Sequence, residues 1–525
     1  MTMSPGRVTP AHQPLLDALV HATEEEWLAS ARARMLQGQV DIAHALFAAA
    51  GARFPASREV RLGLAGACWQ RQETGTAETL LEEWLADHPA DDAAAFLLAR
   101  LLREQGRLQA VGAVMRRWAQ HGPHDTDAII QAVEILDDYS RPGDAAWICE
   151  SALAAGNQDP RLHAYAGMLA IQLGDFARVR EHYAFALSHQ PQAVEWNIPI
   201  GLSGLQRYHD ESHPDFAFFR DALARADLSD RTRMTTLFAL GKAYDDLGDL
   251  PRAVDCFRRA NAMGLATSQW SRKAWKRWVE ARLASAPCPF APSATCRGTP
   301  VFIVGVPRSG TTLLAEQLAR HPSVRHRGEL GWLQVIAQRL LDAKPDASFV
   351  QQQASLYEAQ LRQDDVEGAD WFIDKQPLNL MHVDVILALW PHARILYCQR
   401  NPRDTALSLW TQSFHDHAHD YAYDMGDIAA VIHGCRRLMD HWCRRHPASI
   451  HTVDYEQLAA EPARVRQAVS VWLGLPEASW TEVSTSHAIS TASAWQARQP
   501  VYTRSIGRWR RYLDVLPELS QLPER

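Results

Sequence analysis

The apolar positions of this chain follow two rhythms. Through the first half they recur three or four residues apart: Leu240, Tyr244 and Leu247 fall at i, i+4 and i+7, and Ala253 and Phe257 form a facing stripe. That spacing predicts paired amphipathic helices. At Val301–Val304 the rhythm becomes a short unbroken apolar run, the pattern of a strand buried on both faces in a parallel sheet. From Thr311 it is helical again, with Leu314 and Leu318 on one face, and Ile395–Cys398 is a second strand-like run. A short strand is also expected at Trp371 and another after Ser449. The pattern therefore predicts an all-α first half followed by a parallel sheet flanked by helices.

The helical half repeats. Pro55, Pro89 and Pro123 lie 34 residues apart, and Pro160 and Pro191 continue the series with small insertions or deletions. Gly38, Gly106, Gly143 and Gly174 each precede one of these prolines by 17 residues and are read as the turns within the pairs. The best-formed unit runs from Leu237 to Ala260, where small Gly241 and Ala243 let two helices approach closely. A 34-residue period with two helices per unit resembles the tetratricopeptide repeat, here over residues 28–265 with an irregular stretch near 195–230. Such units bury their faces only by stacking into a superhelix with a concave groove. The groove implies docking of a polypeptide or partner protein; a spacer or a dimerisation arm is the alternative, and a homodimer stays open. Residues 266–298 begin helically and then turn proline-rich, with Pro287, Pro289 and Pro292, and read as a linker.

Composition narrows the class. At 525 residues the chain is too long for one ordinary core, and 47% hydrophobic with 22% charged residues is the make-up of a folded protein. A net charge of -7 gives no general attraction for nucleic acid or acidic membranes. The eight cysteines include no CxxC pair and read as reduced thiols. No apolar run reaches the roughly 18 residues of a membrane span, and Met1 to Gln13 lacks the apolar core of a secretion signal. A cytoplasmic location is the expectation.

Chemistry enters immediately after the linker. Gly305 and Gly310 bracket a tight turn between a strand and a helix, which aims backbone N–H groups and a helix N-terminus at one anion. The Gly-x-x-x-x-Gly spacing matches a nucleotide phosphate loop, but Thr311 and Thr312 stand where a Walker loop needs Lys and Ser/Thr. Arg308 sits inside the loop instead, with a planar fork suited to phosphate and sulfate oxygens. An ATPase, GTPase or nucleotide kinase is disfavoured.

Pro307-Arg308-Ser309-Gly310-Thr311-Thr312 resembles the 5′-phosphosulfate loop of sulfotransferases that use 3′-phosphoadenosine 5′-phosphosulfate (PAPS), in particular the tyrosylprotein branch and its repeat-fused bacterial forms. The resemblance implies an N-terminal all-α superhelix of tetratricopeptide repeats plus a C-terminal α/β, P-loop-like sulfotransferase domain with a parallel sheet, residues 299–525. It assigns Arg308, Ser309, Gly310, Thr311 and Thr312 to the phosphosulfate. Glu329, in a Gly-Glu turn after the loop helix, takes the place of the catalytic base, and an apolar pocket around it would raise its pKa. Lys375, after the strand Trp371–Asp374, is implied to stabilise transition-state charge. Arg400 and Ser408 match the pair that grips the nucleotide's 3′-phosphate, and Tyr455 matches a tyrosine that contacts the nucleotide. In the last segment Ser493 falls where a serine touches the transferring sulfate. Arg508 takes a 3′-phosphate position, and Arg498 and Tyr502 join the nucleotide site. Two positions depart from the family pattern: Gln412 replaces an arginine and Gln499 a lysine, with Arg498 beside the latter.

The tract His415–Asp420 offers imidazoles at alternate positions but no cysteine or glutamate at ligand spacing, and reads as a mobile loop near the acceptor mouth. No metal is expected. The function these residues imply is PAPS-dependent sulfuryl transfer to an acceptor hydroxyl, foremost peptide tyrosine recruited by the repeats. The alternatives are a carbohydrate or lipid acceptor, or a repeat scaffold carrying an inactive nucleotide-binding domain.

Overall fold

The computed structural model describes residues 13–286, 288–342, 345–365, 368–414, 417–481 and 501–524. It divides into two compact units, 1–148 and 149–525.

The first unit is a succession of helix pairs: Glu24–Leu36 with Val40–Arg53, Arg58–Gln70 with Thr74–Asp87, and Asp92–Glu104 with Leu108–Gln120. The 34-residue period is set by caps and turns. Thr23, Ser57, Asp91, Asp125 and Asp159 each cap a first helix, their side chains accepting a backbone N–H from the first turn. The turns fall at Gly38, Gln72, Gly106, Ser140 and Gly174, all with positive φ. Gly143, read as a turn, lies instead within helix Pro142–Ala154, and Ser140 takes the left-handed position three residues earlier. A short polar side chain tolerates that conformation well enough for the repeat to continue without glycine.

The second unit carries the remaining repeats and a sheet. Its last pair is α1 (Asp230–Leu247) and α2 (Leu250–Thr267). A Cβ added at Gly241 would lie 2.8 Å from Phe257 Cε1, so the close approach of these helices depends on that glycine. Helix α3 (Arg272–Leu283) follows. The sheet has five parallel strands, β1 (Thr299–Gly305), β2 (Val324–His326), β3 (Trp371–Asp374), β4 (Arg394–Gln399) and β5 (Ile450–Asp454), in the order β2-β3-β1-β4-β5. Alternate residues of β1 and β4 feed two different cores: Phe302, Val304, Ile395 and Tyr397 on one face, Val301, Ile303, Leu396 and Cys398 on the other. The connections that leave the neighbouring strands β1 and β4 run to opposite sides of the sheet, which opens a crevice at the carboxyl ends of β1 and β4. Helices α4 (Thr311–Leu318), α5 (Pro402–Trp410) and α6 (Met425–Arg445) follow β1, β4 and the short 3-10 helix His417–Tyr423.

The stretch read as a linker is packed. Trp275 of α3 donates its indole N–H to Ala430 O (3.0 Å), and Arg282 forms a buried ion pair with Asp384. Ser293 N donates to Leu389 O (2.8 Å). On α2, Asn261 Nδ2 donates to Trp410 O (3.0 Å) and the Phe257 and Trp410 rings meet at 5.9 Å. The last repeat and the sheet thus share one hydrophobic core. The division between compact units accordingly falls within the repeats, at 148/149, because α1 to α3 bury their outer faces on the sheet-bearing part.

Candidate active site

The turn after β1 is built as a cradle. Arg308 holds φ +72° and Gly310 φ +96°, and helix α4 starts at Thr311 with no side-chain cap and no acidic residue in its first turn. The first-turn N–H groups therefore face the loop without a neutralising carboxylate. A Cβ on Gly310 would lie 2.3 Å from Tyr455 Cδ2, so the glycine is required by both backbone and space. Ser309 is buried, and among the described residues its Oγ has no hydrogen-bond partner. Arg400 Nε is a second buried polar atom without a partner among the described residues. Both residues line a cavity of about 20 Å³ together with Thr405 and Arg436, room for one water.

Arginines from distant parts of the chain meet here. Arg308 Nε donates to Ser408 Oγ (3.0 Å), and Arg400 Nη1 donates to Arg308 O (2.8 Å). Arg400 also donates to Ser505 O (3.1 Å) and lies 4.6 Å over the Tyr455 ring, whose hydroxyl shares a 2.7 Å hydrogen bond with Ser505 Oγ. Burial pushes the Arg308 guanidinium down to about 10; the charges of Arg400 and Arg508 push the same way, against Tyr502 and Tyr455.

The C-terminal segment is strapped over this cluster. Asp404, buried on α5, accepts from Gly507 N (2.6 Å) and Trp509 N (3.0 Å), the amides on either side of Arg508. The Arg508 guanidinium pairs with Asp245 at the end of α1. Arg403 lies 4.5 Å over the Trp509 ring and donates to Leu522 O (2.9 Å).

Next to β1 in the sheet, β3 ends at Asp374, and Lys375 follows it. The buried Lys375 ammonium forms an ion pair with Glu329, whose side chain is 38% exposed. The apolar pocket expected around Glu329 is therefore not what surrounds it among the described residues; its partner is a cation. The turn that carries it is pinned by Lys375 N donating to Gly328 O (2.9 Å) and Leu330 N to Asp374 Oδ1 (3.2 Å). Asp374 also accepts from Tyr357 Oη (2.5 Å) and Asn379 Nδ2 (2.8 Å). Burial raises its carboxyl to about 6 against those hydrogen bonds, with the Glu329 charge adding to the rise.

The structure thus brings Arg308, Ser309, Gly310, Thr311, Arg400, Ser408, Tyr455, Tyr502 and Arg508 to one loop, and Glu329 with Lys375 to the neighbouring strand end. Thr312 follows Thr311 in the first turn of α4. Ser493 and Arg498, like Gln499, lie outside the described residues. Gln412 turns to its own backbone neighbour, donating to Ser413 O (3.1 Å). Of the histidine tract, His417–Tyr423 is a 3-10 helix rather than a loop. Asp420 and Tyr421 are buried there, and His419 stacks on Phe414 at 4.5 Å. In the first unit His44, Cys68 and Glu73 offer ligand atoms within 4.8 Å, but Arg71 Nε already donates to Glu73 (2.9 Å), and burial raises the Cys68 thiol to about 11.

Three site residues escape a reading of the sequence. Asp374 directly precedes Lys375 at a strand end, a position that invites the question. Asp404 looks like an ordinary first-turn acid of α5. Asp245 gives no local signal, since its partner is 263 residues away.

Two segments match family models: residues 300–482 that of the sulfotransferase family, and residues 34–101 that of the tetratricopeptide repeat. A protein of Aquifex aeolicus (strain VF5), itself uncharacterized, is 23% identical over 543 residues, which covers 95% of this chain and 69% of its own length. Among solved structures, the sulfotransferase domain of the Synechococcus PCC 7002 olefin synthase is similar at 19% identity, over 44% of this chain and 97% of that one, with a TM-score of 0.32. A tetratricopeptide repeat protein from Parabacteroides merdae ATCC 43184 is similar at 14% identity, over 48% and 96% of the two chains, with a TM-score of 0.27. Among the described residues no helix is long and apolar enough to cross a membrane.

Proposed function

We propose that this chain, in which a sulfotransferase-family domain follows tetratricopeptide repeats, moves a sulfuryl group from PAPS to an acceptor hydroxyl. The observation that carries the reading is the convergence of cations on the loop after β1: Arg308 Nε donates to Ser408 Oγ, Arg400 Nη1 donates to Arg308 O, and Asp404 on the same helix as Ser408 holds both amides that flank Arg508. A ligand with two separate anionic ends, a 5′-phosphosulfate and a 3′-phosphate, answers that arrangement better than a 5′-nucleotide. Ser309 Oγ and Arg400 Nε, buried without partners among the described residues, fit the same ligand because each has hydrogen-bonding capacity to offer it.

In the proposed reaction the acceptor oxygen attacks sulfur, and the bond from sulfur to the bridging phosphate oxygen breaks. The bonding pair stays on the phosphate, leaving 3′-phosphoadenosine 5′-phosphate. Glu329 takes the acceptor proton. Lys375, buried at the end of β3, offers its ammonium to the charge that develops on the bridging oxygen, a contribution of roughly 3 kcal/mol if it resembles an oxyanion-hole donor. The loop amides and Arg308 hold the sulfuryl group in line, so positioning and electrostatics carry the rate.

The acceptor we propose is a tyrosine of a polypeptide held by the repeats; this rests on the repeats standing in the same chain as the catalytic domain. Sulfur-labelled PAPS tests both halves. Label should enter a tyrosine peptide, and a fragment of residues 157–525 should show a higher peptide KM with an unchanged KM for a free phenol. That fragment keeps α1 to α3 on the sheet, whereas a cut near Pro292 would strip Phe257, Asn261 and Trp275 from the shared core. Label confined to carbohydrate or lipid hydroxyls would refute the peptide acceptor, and no transfer from PAPS would refute the reaction.

A further inference from the structure

A repeat residue reaches the nucleotide site. Asp245 and Asp246 are neighbours at the end of α1 but face different ways. Asp246 serves the repeats, pairing with Lys242 (2.6 Å) and accepting from Tyr208 N (3.1 Å). Asp245 faces the C-terminal segment. Its Oδ2 takes the Arg508 guanidinium, its Oδ1 accepts from Tyr512 Oη (2.5 Å), and Arg508 Nη2 donates to the same Tyr512 oxygen (3.1 Å). The three groups close a ring, and Tyr512 is fully buried. Asp404 meanwhile fixes both amides that flank Arg508. Backbone and one edge of the guanidinium are therefore immobilised. Among the described residues every side-chain hydrogen bond of Arg508 runs through Nη2, which leaves the Nε–H and the Nη1 amino group as donors for a ligand.

We propose that Asp245 is a positioning residue of the nucleotide site: through its ring with Tyr512 it holds Arg508 where the guanidinium meets the nucleotide's 3′-phosphate. The last repeat is then a working part of the catalytic domain. The inference rests on the nucleotide assignment made above and adds to it a residue outside the sulfotransferase segment. Burial disfavours the charge on Arg508, but the adjacent Asp245 carboxylate outweighs it and raises the pKa, so the cation is secure at any working pH. A carboxylate bound at both oxygens is also poorly placed to swing away, which argues for a fixed brace rather than a latch that competes with phosphate.

Calorimetry on the full chain tests the inference, with 3′-phosphoadenosine 5′-phosphate and 5′-AMP as the two probes. Asp245→Asn should weaken the bisphosphate roughly tenfold and leave 5′-AMP unchanged, because a brace lost from one charge-assisted contact affects only the 3′-phosphate. In an Arg508→Ala background Asp245→Asn should add nothing, an outcome that a general loss of folding would not produce. Tyr512→Phe, which keeps every charge, should give a smaller loss in the same direction and carries the test if Asp245→Asn does not fold. Unchanged discrimination in the variants would overturn the inference alone. So would tighter bisphosphate binding, which would make Asp245 a competitor. A wild-type chain that binds both probes equally would instead overturn the nucleotide assignment on which it stands.

Discussion

Replacing Gly310 by alanine probes the loop at the point where backbone and packing demands coincide. At φ +96° an alanine costs about 1 kcal/mol of left-handed strain. Its methyl would sit 2.3 Å from Tyr455 Cδ2, more than 1 Å inside ordinary contact distance. Tyr455 has little room to retreat, with its hydroxyl bonded to Ser505 and Arg400 stacked on its ring. Overpacking of this kind costs about 1–3 kcal/mol, so the total should reach about 2–4 kcal/mol. Gly474 supplies the control: it ends helix Pro462–Leu473 at φ +74° with nothing within 4 Å of an added Cβ, so alanine there should cost only the strain. If Tyr455 shifts, the contact proposed between Arg400 and the nucleotide should loosen, worth about 1.5–3 kcal/mol or roughly ten- to hundredfold in Kd. Urea unfolding and calorimetry with 3′-phosphoadenosine 5′-phosphate measure the two effects. Equal stability and equal affinity in Gly310→Ala and Gly474→Ala would refute the steric argument.

Arg400→Ala should cost roughly 2–3 kcal/mol of affinity for the bisphosphate and little for 5′-AMP, read by the same calorimetry; equal losses for both would remove the 3′-phosphate from its assignment. Glu329→Gln should lower turnover by roughly 10²–10⁴ while sparing nucleotide binding, and wild-type turnover would make Glu329 a structural acid. Asp374, raised to about 6 in the fold against about 3.9 for a free aspartate, binds its proton more tightly when folded. That contribution is complete below about pH 4 and is lost as pH rises through about 6. Unfolding titrations should therefore show wild type losing on the order of 2–3 kcal/mol relative to Asp374→Asn between those limits, and parallel pH curves would contradict it.

The local patterns carried most of the fold. Periodic apolar stripes identify the helix pairs, since burying one face per helix is a requirement each segment expresses by itself. The caps Thr23, Ser57, Asp91, Asp125 and Asp159 would have given the period more sharply than the prolines, because a cap satisfies a backbone donor at a fixed place and a proline only avoids losing one. The unbroken apolar runs at β1 and β4 announced a sheet covered on both faces, and the Gly-x-x-x-x-Gly spacing announced the tight turn between β1 and α4.

Tertiary structure alone decided what those pieces meet. Strand order puts Arg308 beside Arg400 and sets Glu329 against Lys375, although nothing in the neighbourhood of any of them names its partner. Asp404 reads as a first-turn acid of α5 until Gly507 and Trp509 arrive at its two oxygens. The supposed linker became a docked helix because Trp275 and Arg282 find Ala430 and Asp384, contacts between residues more than 100 positions apart. Asp245 is the sharpest case. By itself it is one polar residue on a repeat helix, and it meets Arg508 only because the last repeat and the sheet share a core. Local sequence specifies which faces must be buried and which backbone groups must be satisfied; the pairing of charges across the molecule is a property of the packed chain.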